Sequence, residues 1–245
     1  MDEIDKLEDP RRRILVKALA AGLFAAGIGA PRASAQGILG GTPGRLPEGR
    51  SIYRIEGSAR VNGAAATPQT IVRAGDTVVT SANSELVFAV GTQAMILRSD
   101  SQLVLESVTT GIASFVVSGL RLVTGKLLSV SRNSSMRLVT PTATIGIRGT
   151  GWYAESDPEQ TYFCTCYGDT DIVASKDPDS RTSVSAKAHD RPLYIVANAA
   201  RGNNIRNAPF INHTDQELML IEALVGRAPP FVFSNDNYSG PRRDY

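Results

Sequence analysis

From about Ser51 to Ser175 the chain repeats one pattern: short runs rich in Val, Ile, Leu and Thr, each closed by small polar residues or Gly. Such runs predict β-strands, here over residues 52–55, 77–80, 85–90, 94–98, 102–106, 120–124, 126–130 and 136–140. Turn chemistry separates them at Asn62-Gly63, Ala74-Gly75-Asp76, Ser99-Asp100-Ser101, Ser118-Gly119 and Asn133-Ser134. Residues 94–98 and 102–106 alternate, yet their inner positions are apolar on both faces, which predicts strands covered on two sides. Turn signals recurring about every 8–12 residues suit packed sheets in a sandwich, roll or short solenoid and leave no room for alternating βαβ units.

The period changes once in the C-terminal part. Leu218, Ile221, Leu224 and Val225 recur at helical spacing, and Met219 and Leu220 widen the stripe. Thr214 and Glu217 have the spacing of a capping box, Asp215 and Glu217 supply acids to the first turn, and Gly226 ends the run. This predicts a helix over 215–225, packed on the β body, within an extension covering 176–234. Pro229-Pro230-Phe231-Val232-Phe233 should run extended, residues 235–245 form a mobile tail, and the Gly- and Pro-rich residues 36–50 form a linker.

At the N-terminus a polar lead, then Arg11-Arg12-Arg13, then an Ala- and Gly-rich apolar stretch ending near Ala30 has the three-part layout of an export signal. Ala33-Ser34-Ala35 offers a small-x-small cleavage site, so residues 1–35 are expected to leave and Gln36 to become the first residue. Arg11-Arg12 with the apolar pair Ile14-Leu15 and nearby Lys17 resembles a twin-arginine signal; a Sec signal with a basic lead is the alternative. The uninterrupted stretch from Ala18 to Ala30 is far short of the roughly 20 apolar residues a bilayer requires, so no stable membrane anchor is expected. The expected location is periplasmic or secreted.

Charge adds little. With 26 basic and 24 acidic residues the chain is near neutral, and loss of the leader leaves about +1, so there is no basic face to suggest nucleic acid. Chemistry-bearing residues are few. Cys164 and Cys166 stand at i and i+2, on one face if the segment is a strand, with Cα atoms roughly 6.5–7 Å apart, at the edge of what a disulfide tolerates. Buried inert thiols, a strained redox disulfide and a soft-metal site are the open readings. A metal site would need His189, in Ala188-His189-Asp190-Arg191-Pro192, or His213, in Asn212-His213-Thr214-Asp215. By itself each histidine reads as a turn or helix-entry residue. No nucleophile elbow or His-Glu-x-x-His motif is present, so neither a catalytic constellation nor a cofactor is expected.

Several spaced motifs between Arg60 and Ile172 resemble the FecR domain. They are Val61-Asn62-Gly63, the run 74–80, Ser84 to Phe88, the segment AMILRSDSQLVLES at 94–107, GLRLVTGKLLSVS at 119–131, and LVTPTATIGIRGTGWYAE at 138–155. The last is the most specific, matching the family's strand pair at Thr140, Pro141, Ala143, Gly149 and Thr150. The resemblance implies a twisted all-β domain, solenoid-like or jelly-roll-like, over 51–175 in the periplasm. FecR regulators carry an anti-sigma segment and a membrane span ahead of this domain; here a leader precedes it, so direct sigma-factor control is not expected. The leading expectation is a non-enzymatic module that binds an envelope protein or cell-surface ligand, with Gly149, Thr150, Trp152 and Tyr167 as candidate contact residues. The alternative is a metal-binding or thiol-redox protein using Cys164 and Cys166.

Overall fold

The computed structural model describes residues 44–110, 114–131 and 135–230. The expected leader, its cleavage site at Ala35-Gln36, the first part of the linker, the Asn133-Ser134 turn and residues 231–245 lie outside these. What is described is all-β with one short C-terminal helix, as the pattern of the sequence predicts. No described helix is long and apolar enough to cross a membrane.

Among the described residues fourteen strands join one sheet. They are β1 (Ile52–Glu56), β2 (Ala59–Val61), β3 (Ala64–Ala65), β4 (Thr77–Thr80), β5 (Glu85–Val90), β6 (Gln93–Leu97) and β7 (Gln102–Thr110). Then follow β8 (Ser114–Ser131), β9 (Ser135–Val139), β10 (Ala143–Ser156), β11 (Gln160–Ala174), β12 (Asp177–Ala186), β13 (Leu193–Val196) and β14 (Ile205–Asn207), and α1 (Asp215–Leu224). The main path runs β14-β13-β11-β10-β9-β8-β7-β4-β2-β3. Of the connections between neighbouring strands, β8 to β9 is parallel.

The long strands change partners along their length. The first part of β8 pairs with β7 as far as Thr124, and its last part, Leu127 to Ser131, pairs with β6. The sequence around Gly125 reads as a hairpin, but no turn forms there. Gly125 has φ +95°, and a Cβ at this position would lie 2.5 Å from the Ser101 Cα. The chain bends against the Ser101 backbone and continues as one strand, so the expected segments 120–124 and 126–130 are two halves of β8. Ser118-Gly119 likewise lies within β8, where the register with β7 shifts between Glu106 and Ser107.

That change of partners creates two buried faces. Met95, Leu127, Trp152 and Phe163 point into a first core; their neighbours Ile96, Leu128, Tyr153 and Cys164 point into a second. Residues 94–97 are thus covered on both sides, as their composition predicts. Residues 102–106 are not: Leu103 and Leu105 are buried, while Gln102, Val104 and Glu106 are half-buried. The second face is roofed by α1, whose Leu218, Leu220, Ile221 and Leu224 pack on it. The sheet continues past 175 through β12, β13 and β14, so the C-terminal extension is built into the same body. The end of the linker is also tied down: Leu46 packs into the second core and its N–H donates to the Leu224 carbonyl (3.0 Å).

Candidate metal centre

Strand β11 builds the site. Gly151 of β10 faces Tyr167 and Trp152 faces Thr165, which leaves Cys166 as the extra residue of a bulge. The bulge turns Cys164, Cys166 and Tyr167 to the same buried face, under α1. Gly151 is required there because the Tyr167 ring lies across it; a Cβ would come within 2.4 Å of that ring.

On the other edge of β11, β12 pairs with residues 168–174 and β13 with 160–163. The connecting turn, residues 187–192, therefore passes beside the stretch that neither strand covers, which is where the two cysteines lie. The His189 N–H donates to the Cys166 carbonyl (2.8 Å), and the Asp190 carboxylate accepts from the Lys187 N–H (2.7 Å) to close the turn. His189 takes φ 54°, the left-handed region, and its ring is buried. His213 reaches the same place from the chain entering α1, its ring 4.5 Å from that of Tyr153.

Cys164, Cys166, His189 and His213 are all buried, and one ligand atom from each lies within 4.8 Å of every other. Cys164 Sγ is 3.8 Å from His189 Nδ1, and His189 Nδ1 is 3.1 Å from His213 Nε2. A tetrahedral zinc ion would set these edges at about 3.6 Å and about 3.3 Å from ordinary Zn–S and Zn–N bond lengths. Neither cysteine is in a disulfide.

The outer nitrogens fix which atoms face inward. His189 Nε2 donates to Asp215 Oδ1 (2.7 Å), and His213 Nδ1 donates to the Ile211 carbonyl (2.7 Å). A carboxylate and a carbonyl only accept, so both outer nitrogens carry the hydrogens. Neutral imidazoles would then aim two lone pairs at each other across 3.1 Å. Only a cation between them, or a proton on one, relieves that contact. Asp215 stands in the first turn of α1, where the helix N-terminus favours a carboxylate. A carboxylate or carbonyl behind each ligating histidine is the usual outer shell of a zinc site.

In the absence of metal a proton can fill the cation's role. Burial disfavours a charged sulfur, but the Cys166 thiol and the His213 and His189 rings beside Cys164 hold its thiol well below the ordinary range. Burial next to that charge pushes Cys166 well up. Burial also opposes charge on His189, yet Asp215 first and then Cys164 push it up to about 9. Without metal the cluster thus takes up a proton as its cation. With zinc, two thiolates balance the ion and both histidines are neutral, a neutral unit suited to burial. Four protein ligands close such a site, leaving no coordination position for substrate.

No family model matches the chain, and no curated protein matches it. Among solved structures, two crystal structures of a candidate anti-sigma factor from Parabacteroides distasonis, at 1.65 and 2.50 Å resolution, are similar at 11% identity. Their TM-scores are 0.41 and 0.40, and the match covers 54% of this chain and 58% of theirs. A likeness this faint assigns neither family nor function.

The residues expected from sequence divide into two groups. Cys164, Cys166, His189 and His213 come together. Gly149, Thr150, Trp152 and Tyr167 do not form a contact surface: Gly149 is half-buried, and the other three side chains are buried. Trp152 stacks on Phe163 in the first core, and the Tyr167 hydroxyl donates to the Glu222 carboxylate beneath α1. The reason is that the sheet is covered on both faces, Trp152 by the first core and Tyr167 by the second, which the β10 sequence alone does not reveal. Asp215 was legible only as a first-turn acid, and the Ile211 carbonyl carried no signal at all.

Proposed function

We propose that this protein is an exported, non-enzymatic β module of FecR type that binds one structural zinc(II) ion through Cys164, Cys166, His189 and His213. The observation that carries the metal is the set of four buried ligand atoms, two sulfurs and two inward nitrogens, within 4.8 Å of one another, with the outer nitrogen of each histidine held by a partner behind it. Thiolate and imidazole together favour zinc, and the closed set assigns it a structural role. The leader pattern and the FecR-like motifs support export and a role in the envelope, where the module engages an envelope protein or cell-surface ligand.

Elemental analysis of protein purified without added metal tests the centre. About one zinc per chain is expected, lost in Cys164→Ser and in His213→Gln, as a single closed site requires. Stoichiometric copper would keep the centre and overturn the zinc assignment. Protein without metal, with both thiols protected only by burial, would overturn the centre. Export is read from the first peptide of the secreted form, expected to begin at Gln36.

A further inference from the structure

The metal ligands come from parts of the chain held in different ways. Cys164 and Cys166 lie in β11, which β10 pairs along one side of this stretch. His213 lies six residues beyond Asn207, where β14 and the strand pairing of the sheet end. Thr214, the next residue, is the N-cap of α1. A bond from His213 to the ion therefore fixes the entry of the helix.

The contact α1 makes with the sheet is unusually polar. Asp215, Glu217 and Glu222 are all buried. Each depends on a partner: Asp215 on His189, Glu217 on Arg98 (3.2 Å), and Glu222 on the Tyr167 hydroxyl and Arg227 (2.7 Å). Buried ion pairs roughly offset their own desolvation, so these pairs specify where the helix sits and add little net free energy. At ten residues, α1 is also shorter than the roughly 12–15 residues an isolated helix needs to persist in water. Its docking rests on the apolar stripe and on whatever holds its N-terminus. The first core, by contrast, has no ligand among its residues and is closed by the strands themselves.

We infer that the metal is a clasp: it keeps residues 208–226 docked, and its withdrawal releases them while the rest of the β body stays folded. Release uncovers the second apolar face, including Ile96, Leu128, Val130 and Tyr153. The protein then reports metal availability by exposing or hiding one side of its sheet. This inference rests on the metal centre proposed above.

Hydrogen exchange read by mass spectrometry on the zinc-loaded chain, before and after prolonged incubation with EDTA and phenanthroline, tests the clasp. Amides over 218–224 are expected to exchange at least about 100-fold faster after zinc is removed, while those pairing β7 with β8 change by less than about threefold. Adding zinc back restores protection. His213→Gln, which leaves both cysteines in the sheet, should exchange like the stripped protein with or without zinc. If zinc is bound and its removal leaves 218–224 protected, the clasp fails and the metal centre stands. If the β7–β8 amides lose protection together with the helix, the ion holds the whole fold and the clasp fails. If no metal is present in the purified chain, both proposals fail.

Discussion

Arg98 shows how much one side chain can carry. It is 5% exposed, donates to the Tyr153 hydroxyl (2.7 Å) and the Asn212 carbonyl, and pairs with Glu217, itself 3% exposed. The Glu217 carboxylate also accepts from the Thr214 N–H (2.9 Å), so one group serves both the capping box and the ion pair. Removing it strands a buried guanidinium and opens the helix start at once. Glu217→Ala is expected to cost about 3–5 kcal/mol in urea unfolding, the usual penalty for breaking a buried pair. Arg148 and Asp171 make a shorter ion pair (2.5 Å), but both are largely exposed. Arg148→Ala should cost no more than about 1 kcal/mol, because water and salt screen that pair. Equal costs for the two variants would contradict this assignment.

At the scale of elements, the decisive piece is the bend of β8 at Gly125. The strand passes from β7 to β6 and β10 there, and this transfer makes the body two-faced. Any side chain at Gly125 meets both an unfavourable φ and the backbone of Ser101. Gly125→Ala is therefore expected to destabilise the chain by about 2–3 kcal/mol and to loosen the second face more than the β7–β8 ladder. Thermal unfolding with exchange data would check both parts. The bulge at Cys166 works in the same way. One residue added to β11 relative to β10 brings two sulfurs and the Tyr167 ring under α1, and lets the β12–β13 turn deliver His189.

For the whole molecule, stability in acid depends on carboxylates held more acidic than in the unfolded chain. Glu106 is lowered by hydrogen bonds from Arg121 and, against some burial, from Arg137, and so links β7, β8 and β9. Asp171 is lowered by Ser183 and, against slight burial, by Arg148; Asp177 is lowered by the Gly202 N–H and Ser180. A group depressed in the folded state stabilises above its unfolded pKa, and that contribution disappears as pH falls through the folded value. Stability should therefore decline below about pH 4.5, and the combined variant Glu106→Gln, Asp171→Asn should show a flatter decline. Urea midpoints between about pH 6 and about pH 3 would show it, and parallel curves for variant and parent would refute it.

The all-β class, most strand positions, the helix with its capping box and the four candidate ligands were all legible in the order of residues, because periodicity, turn chemistry and caps are local. The FecR-like motifs mark the same strands. What the sequence could not show was who faces whom. A Gly between two β-rich runs reads as a turn until Ser101 is found packed against it, and Tyr167 reads as a surface candidate until α1 covers the second face. Cys164 and Cys166 are neighbours in the chain, but His189 and His213 reach them only because β12 and β13 share one edge of β11 and α1 roofs the face. Those are long-range pairings, set by the packing of distant segments, and only the tertiary structure decides them.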